Sequence, residues 1–326
     1  MSSSVRWAAI AALSLLTVAT GTAAGSGSTS VILDTDIGTD IDDTWALALV
    51  LASPELDLKL VVTASGDTRE RARVAAKFLA AAGRDDVPIG IGVAGGDVPM
   101  PQAAWARDYP LESYPGEVHA DGVGALVDAV HGLAGDAVLL VIGPASNVAA
   151  ALERDPSIAG LARVVAMSGS VDRGYDGAAE AAAEYNVRVD AEAASALYGA
   201  GWDLLVAPLD TAGQVQLEGD LYRRLRSSES PTVRALLAGY RVWEPGFEWG
   251  SYDTENESST LYDALAVALA YDEAICRVEA LRLEVSSDGF TRRSERGAVV
   301  RAALGWPPGG RGAFERFLVE RLLAGD

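Results

Sequence analysis

Short apolar runs alternate with longer Ala- and Leu-rich amphipathic segments along most of the chain. The apolar runs predict strands at 31–34, 58–65, 87–93, 137–143, 163–169 and 203–208. Several of these runs are apolar at every position, which is typical of parallel strands that helices cover on both sides. The alternation therefore predicts βαβ units and an α/β fold, an open, mostly parallel sheet with helices on both faces.

The amphipathic segments predict the helices that cover this sheet. They lie at 43–52, 68–83, 121–134, 145–154, 190–200, 218–227, 230–241, 261–271 and 312–323. Two stretches rich in Pro, Gly and aromatic residues, 95–118 and 243–260, are longer than ordinary connections, so we expect them to be loops over a site. The 326 residues, 49% of them hydrophobic, suit one large domain, which we predict to span residues 25–326.

Residues 1–24 differ from the rest of the chain. Arg6 precedes the apolar run "WAAIAALSLLTVA", and small residues follow it. This is the layout of a secretory signal peptide with cleavage near Ala23 or Ala24, and the run is short for a membrane span. We therefore expect no stable membrane insertion after cleavage, and a protein that is secreted, periplasmic or held in the cell envelope.

The charge and the cysteine count narrow the classes of partner and site. The formal net charge is −20, and only two of the 26 basic residues are lysines. Because neutralising phosphates requires clustered Lys and Arg, nucleic acids and anionic membranes are disfavoured as partners. The single cysteine, Cys276, rules out an intramolecular disulfide and a Cys-based zinc site.

Polar clusters follow four of the predicted strands, namely "DTDIGTDIDD", "TASGDT", "GPASN" and "MSGS". Open parallel sheets bind ligands beyond the carboxyl ends of their strands, so we expect these clusters to converge. The first cluster is the densest. It places five aspartates in ten positions: Asp34, Asp36, Asp40, Asp42 and Asp43.

Helix capping accounts for only part of this cluster. Asp42 or Asp43 can cap the helix that begins there. Asp34 and Asp36 need another explanation, because neighbouring carboxylates repel one another unless a cation or protons intervene. Ca²⁺ is a suitable counter-charge, since it accepts a mixture of carboxylate, carbonyl and water oxygens.

Two other motifs contain similar aspartate strings. An EF-hand loop is excluded, because Trp45 stands where the bidentate Glu of that loop belongs. A phosphatase of the haloacid-dehalogenase type has "DxDxT" after a strand, but here Gly38 takes the fifth place and Thr39 follows one place late. That phosphatase is kept as a distant alternative.

The aspartate cluster also resembles the signature of the inosine-uridine preferring nucleoside hydrolase family, calcium-dependent enzymes that cleave the N-glycosidic bond of ribonucleosides. The signature is "DxDxGxDD", and it appears here as "DTDIGTDIDDTWAL", two residues longer before the paired acids. Five further motifs follow in order: "VVTASGDT", "VIGPASNVAAAL", "VVAMSGS", "AEYNVRVDAEAA" and "LYDALAVA". The resemblance spans about residues 31 to 271 and implies the Rossmann-like topology of that family.

Matching positions imply roles for single residues. Asp36 resembles the catalytic metal ligand that orients and deprotonates the attacking, metal-bound water. The implied Ca²⁺ ligands are Asp36, Asp43, the backbone carbonyl of Ser146, and Asp263. The implied substrate-binding residues are Asp42, Asp67, Met167, Glu184, Asn186, Tyr262 and His119. Asp34 is expected to hold the loop through backbone N–H groups, and Asp40 is an alternative to Asp42.

The leaving base needs a proton or a stacking partner, and here the chain departs from the family. Tyr262 stands where many relatives have a histidine, and only His119 and His131 exist in the chain. The proton would then come from His119, Tyr262 or solvent. Stacking would be provided by one of the loop tryptophans Trp105, Trp243 and Trp249.

The resemblance implies Ca²⁺-dependent hydrolysis of ribonucleosides to nucleobase and ribose, an activity of nucleoside salvage. A second departure, Ala178 in place of the asparagine usual near the 5′ end of the sugar, leaves open a hydrolase of another ribosyl-like N-glycoside. A protein that binds nucleosides or sugars without cleaving them is the alternative from another class. The expected partner is a small-molecule nucleoside, and relatives in the family associate as dimers or tetramers, which implies a homo-oligomer.

Overall fold

The computed structural model describes residues 28–133 and 135–324, so the predicted signal peptide at 1–24 lies outside the described residues. The strands are β1 (Thr29–Thr35), β2 (Leu56–Thr63), β3 (Ile89–Ile91), β4 (Val118–His119), β5 (Ala137–Val141), β6 (Ala162–Met167), β7 (Leu204–Ala207), β8 (Gln216–Glu218), β9 (Glu257–Thr260), β10 (Arg277–Val285), β11 (Thr291–Arg293) and β12 (Ala298–Gly305). The helices are α1 (Asp42–Ala52), α2 (Thr68–Ala81), α3 (Gly122–Leu133), α4 (Ser146–Arg154), α5 (Tyr185–Val189), α6 (Ala191–Gly199), α7 (Gly219–Arg226), α8 (Pro231–Trp243), α9 (Tyr262–Leu269) and α10 (Gly310–Ala324).

Ten of the described strands form one sheet in the order β11-β10-β12-β7-β6-β5-β1-β2-β3-β4. Every neighbouring pair from β12 to β4 is parallel, whereas β10 runs antiparallel to β11 and β12. Alternate side chains of β1 enter two separate hydrophobic cores, since Val31 and Leu33 pack on one face of the sheet and Ile32 on the other. The predicted α/β fold with helices on both faces is confirmed.

The C-terminal antiparallel strands were not predicted from the sequence. In β10 most side chains are exposed or half-buried, because the strand lies next to the sheet edge and pairs with the short β11. A strand with a solvated face carries charged residues and lacks the continuous apolar run of the central strands. The short strands β4, β8 and β9 and the helix α5 were missed as well, since none of them contains the continuous apolar run that marks the equally short β3 and β7.

The topology places β1 in the middle of the parallel strands, between β2 and β5. Its carboxyl end therefore lies beside the loops that follow β5 and β6. Helix α9 packs against α1, which brings the first turns of these two helices together at the same edge of the sheet. Among residues 28–133 and 135–324, none of the helices combines the length and the apolar character that crossing a bilayer requires.

Candidate active site

The segment between β1 and α1, residues 36–41, forms a buried turn that we call the aspartate loop. Asp34 and Thr35 end β1, and Asp42 and Asp43 occupy the first turn of α1. Four of the five predicted acids are almost completely buried, with exposed fractions of 0% for Asp34, 4% for Asp36, 4% for Asp42 and 2% for Asp43. Neither Asp42 nor Asp43 is the residue before the helix, and α1 has no side-chain cap. Capping therefore does not explain their burial.

Three carboxylates converge at this point of the fold. Oxygen atoms of Asp42, Asp43 and Asp263 all lie within 4.8 Å of one another, and Asp263 is the second residue of α9. Burial, followed by repulsion from neighbouring aspartates, raises the pKa of all three well above its ordinary value. Ca²⁺ binds oxygen at about 2.3–2.6 Å, so oxygens up to about 5 Å apart can share one ion. The cluster can therefore hold a metal ion.

Asp36 borders the same cavity but is not one of the three converging carboxylates. Burial raises its pKa, while the positive charge of Arg71 opposes that shift. The loop after β5 packs directly on it, because a Cβ atom placed on Gly143 would lie 2.9 Å from Asp36 Oδ1. The structure thus groups Asp42, predicted as a sugar ligand, with Asp43 and Asp263, and Asp36 lines the same cavity.

Arg71 was not identified from the sequence and is the basic residue behind the aspartate loop. It lies on α2 and is 0% exposed. Its guanidinium donates to the backbone carbonyls of Asp36 and Ile37 and to the hydroxyl of Thr39, and its Nε donates to the carbonyl of Ser65. Its Nη2 lies 4.0 Å from Asp36 Oδ2. The repulsion within the cluster is therefore partly balanced by a cation that belongs to the chain.

Glu184, Asn186 and Met167 line the same cavity as the aspartate loop. Met167 ends β6, and the other two lie at the start of α5. Glu184 caps α5 by accepting from the backbone N–H groups of Asn186 (2.8 Å) and Val187 (3.2 Å), and it also accepts from that of Gly169 (2.9 Å). Burial raises its pKa to about 7. Asn186 donates to the carbonyls of Ile142 and Met167, which joins the loops after β5 and β6. Glu184 thus has both a capping role and a place in the cavity wall.

Aromatic side chains form the remaining wall of a cavity of about 370 Å³. Tyr185 packs against Trp249 with ring centroids 5.6 Å apart, and Tyr175 meets Tyr262 edge-on at 6.0 Å. Phe247 and Tyr252 complete the wall, so the 243–260 loop covers the site as expected. Tyr185 stands between two predicted residues in "AEYN" and was detectable there, whereas Tyr175 carried no signal.

Of the predicted site residues, eight line this cavity, and three do not. Those in the lining are Asp36, Asp42, Asp43, Met167, Glu184, Asn186, Tyr262 and Asp263. Asp67 is exposed and caps α2 by accepting from the N–H groups of Arg69 and Glu70. Ser146 is the first residue of α4, and its hydroxyl donates to the carbonyl of Pro144.

His119 lies on β4 and lines a separate surface groove with Lys59 and Asp121, away from the aspartate loop. His131 is exposed and 2.6 Å from Asp155. Of the loop tryptophans, Trp249 lines the cavity, Trp105 packs against Lys77, and Trp243 is buried with its indole N–H donating to the carbonyl of Thr39. Ala178 is exposed. Neither histidine of the chain therefore lines the cavity, whereas four tyrosines do.

Known proteins resemble this chain in sequence. Residues 31–311 match the family model described as inosine-uridine preferring nucleoside hydrolase. A pyrimidine-specific ribonucleoside hydrolase of Enterobacter sp. is 30% identical over 260 residues, which cover 73% of this chain and 77% of that protein. A non-specific ribonucleoside hydrolase of Salmonella newport is 31% identical over 210 residues, 61% of this chain and 67% of the relative.

Solved structures show the same fold. A plant nucleoside hydrolase superposes with a TM-score of 0.77 at 24% identity, covering 91% of this chain and 99% of that one. A purine-preferring ribonucleoside hydrolase from Gardnerella vaginalis gives a TM-score of 0.73 at 22% identity, with coverage of 90% and 99%.

Proposed function

The chain belongs to the inosine-uridine preferring nucleoside hydrolase family and is thus an enzyme that hydrolyses N-glycosyl compounds; from this premise we propose that it hydrolyses ribonucleosides to nucleobase and ribose in a Ca²⁺-dependent reaction. One observation supports the metal above all, the convergence of the buried carboxylates of Asp42, Asp43 and Asp263 within 4.8 Å. All-oxygen ligand sets suit a hard cation such as Ca²⁺. When bound, the ion supplies Lewis-acid polarisation of a water molecule and of the vicinal ribose hydroxyls.

Residues of the chain carry out proton transfer, ribose binding and binding of the base. Asp36 accepts the proton of the attacking water as general base. Glu184 and Asn186 bind ribose hydroxyls, and their hydrogen bonds to the backbone hold them in place. Cleavage passes through an oxocarbenium-like state, which neighbouring carboxylates stabilise. The aromatic wall, with Tyr185 and Trp249, holds the departing base.

A substrate panel tests the proposal. Inosine, uridine, guanosine, cytidine and adenosine are each incubated with the protein, with Ca²⁺ or with a chelator, and released reducing sugar is measured. We expect ribose from at least one of them and its loss with chelator. If none yields ribose but another ribosyl-like N-glycoside is cleaved, the substrate class is wrong. Calorimetric binding of intact nucleoside without any product would favour a binding protein instead.

The variant Asp36→Asn separates binding from catalysis. Loss of a general base costs about 10²–10⁴-fold in rate, while Glu184 and Asn186 still allow the nucleoside to bind. Asp108→Asn is the matched control, because it removes the same charge from an exposed residue that pairs with Lys77 on the surface. Full activity of Asp36→Asn would show that Asp36 is not the general base.

We also propose that the protein is exported and acts outside the cytoplasm, with residues 1–24 removed. The support is the order of Arg6, an apolar run and small residues. Expression of the full chain in a secreting host, followed by mass spectrometry of the mature N-terminus, tests this. A mature protein in the cytoplasm that keeps Met1–Ala24 would contradict it.

A further inference from the structure

We propose that Arg71 is a positioning residue, a permanent internal cation that holds the aspartate loop in its ligand-binding geometry with or without a metal ion. The inference deepens the proposed function, since the loop carries Asp36 and leads into Asp42. Arg71 does not line the cavity and is not expected to touch substrate. Its effect is exerted through the backbone of the loop.

The contacts of Arg71 have the form of a clamp. Nη1 of the guanidinium donates to the backbone carbonyls of Asp36 and Ile37, and Nη2 donates to Thr39 Oγ1 at 2.9 Å. On its other side, Nε lies 2.7 Å from the carbonyl of Ser65, in the loop that follows β2. One side chain therefore joins two strand-end loops. A planar group with five N–H donors can serve these acceptors together, which an ammonium cannot do in the same geometry.

The backbone of the aspartate loop forms few hydrogen bonds of its own, so donors from outside the loop hold it. The N–H of Gln102 donates to the carbonyl of Gly38 and the indole of Trp243 to that of Thr39, while Arg71 serves the two carbonyls before them. The internal backbone contact of the loop, from the N–H of Thr39 to the carbonyl of Asp36, is 3.5 Å long. Gly38 adopts a φ of +114°, so the turn is not a regular helical or extended one. Buried carbonyls without donors are costly, and Arg71 supplies donors to two successive ones, those of Asp36 and Ile37.

The charge of Arg71 matters as much as its donors. Burying an unpaired cation is expensive, and its nearest formal charge is the carboxylate of Asp36, 4.0 Å away. The buried acids beside it gain a compensating charge that is present before any metal arrives. Arg71 would thus keep the carboxylates converged in the metal-free protein, so that ion binding does not have to fold the loop.

The first test uses the metal-free protein and no activity. Hydrogen–deuterium exchange of the loop amides at residues 36–41 is measured in chelator for wild type, Arg71→Met and Arg71→Lys. The matched control is Arg163→Met, because Arg163 also donates to two backbone carbonyls, those of Leu269 and Ala270, but from the opposite end of β6. We expect the loop amides to exchange at least tenfold faster in both Arg71 variants than in wild type. In Arg163→Met they should exchange at the wild-type rate. Unchanged loop exchange in the Arg71 variants overturns the proposal.

The second test is chemical rescue at saturating Ca²⁺. Arg71→Ala and Arg163→Ala are assayed with and without millimolar guanidinium, below denaturing concentrations. We expect Arg71→Ala to lose at least tenfold in kcat, with a smaller change in KM, and guanidinium to restore part of kcat. Arg163→Ala should lose thermal stability but little kcat, with no rescue. Equal losses in the two variants, or full activity of Arg71→Lys, would overturn the proposal.

The two proposals fail in different ways. If wild type cleaves no nucleoside, the proposed function is wrong, and the exchange experiment still decides the role of Arg71. If wild type is active and the Arg71 variants keep a protected loop and normal kcat, only the present inference fails. Should Arg71→Met not fold, Arg71→Lys carries the exchange test.

Discussion

The backbone N–H of Tyr185 donates a hydrogen bond to the hydroxyl of Tyr175 at 2.8 Å. The phenol is thereby an acceptor toward the backbone, and its own proton remains available to a ligand, since Tyr175 lines the cavity. Burial raises the pKa of Tyr175 and of its neighbour Tyr262, so both phenols stay protonated at neutral pH. The cavity lining contains no histidine, and Tyr175 and Tyr262 are two of its four tyrosines, each a neutral hydrogen-bond donor.

Tyr175→Phe should therefore weaken catalysis without unfolding the protein. One lost hydrogen bond to substrate is worth about 0.5–1.5 kcal/mol, or roughly a 2- to 13-fold decrease in kcat/KM. Steady-state kinetics on the best nucleoside measures it.

Tyr114→Phe is the control for Tyr175→Phe. The hydroxyl of Tyr114 donates to the carbonyl of Val87 at 2.6 Å, outside the cavity, so this variant should lose stability and keep kcat/KM. Equal kinetic losses in both variants would show that the phenol of Tyr175 has no specific role.

Asp67→Ala distinguishes two roles of Asp67, the sugar-binding role that the family resemblance implies and the helix-capping role that the structure shows. A ribose-binding Asp67 would lower kcat/KM strongly when removed. In the structure Asp67 caps α2 through two backbone N–H groups, so we expect a loss of about 0.5–2 kcal/mol in the free energy of unfolding and unchanged kinetics. Urea unfolding and nucleoside kinetics together decide, and a large kinetic loss would restore the sugar-binding role.

The predicted central strands and helices agree with the fold because their signal is local. An apolar run such as residues 137–143 has no alternative to burial, and β5 occupies Ala137–Val141. The polar clusters at the strand ends could be placed in one region for the same reason, since parallel strands share an edge.

What could not be predicted depends on long-range geometry. Arg71 contacts a loop 35 residues earlier in the chain, and in the sequence it is one of three arginines in "TRERAR". The pattern does not tell which of them faces inward. The loop before Asp42 is two residues longer than the family signature. The sequence therefore does not tell which aspartates meet Asp263, because added residues change the direction in which each side chain points.

The stability of the metal-free protein should fall as pH rises. Burial raises the pKa of Asp34 and of Glu184 to about 7, well above the ordinary carboxyl value, so the folded state binds more protons than the unfolded state between about pH 4 and 7. A carboxyl group whose pKa is raised on folding contributes fully to the free energy of unfolding below its pKa in the unfolded state. That contribution is lost as the pH rises through the pKa in the folded state. Urea unfolding in chelator at pH 5 and pH 8 should show lower stability at pH 8.

Calcium should reverse this trend, because a cation and protons compete for the same carboxylates. The increase in Tm on adding Ca²⁺ should be small at pH 5 and larger at pH 8, where fewer protons compete with the ion for the carboxylates of Asp42, Asp43 and Asp263. The same increase at both pH values would mean that the ion binds elsewhere.

Trp249→Ala tests the aromatic wall. The indole is 56% exposed and packs beside Tyr185 at the cavity, where a base can stack. Base–aromatic stacking is worth about 1–3 kcal/mol, so KM should rise roughly 5- to 150-fold. Trp105→Ala is the control, since Trp105 packs on Lys77 away from the cavity. An unchanged KM in Trp249→Ala would show that the base lies elsewhere.

Gly143→Ala should displace Asp36 without removing any functional group. A Cβ atom at this position would lie 2.7 Å from the backbone nitrogen of Asp36 and 2.9 Å from its Oδ1, closer than side chains tolerate. Relieving that contact must move either the loop after β5 or Asp36 itself. We expect kcat to fall at least about tenfold, since small displacements of a catalytic group are costly, and stability to fall by about 1–3 kcal/mol.

Gly132→Ala is the matched control, because its Cβ would meet nothing within 4 Å in α3 and alanine favours the helix. Gly132→Ala should therefore be slightly stabilised with normal kcat. If the two variants differ in this way, the loss of kcat comes from crowding of Asp36 and not from the added methyl group as such. Normal kcat in Gly143→Ala would mean that the position of Asp36 is not critical for the reaction.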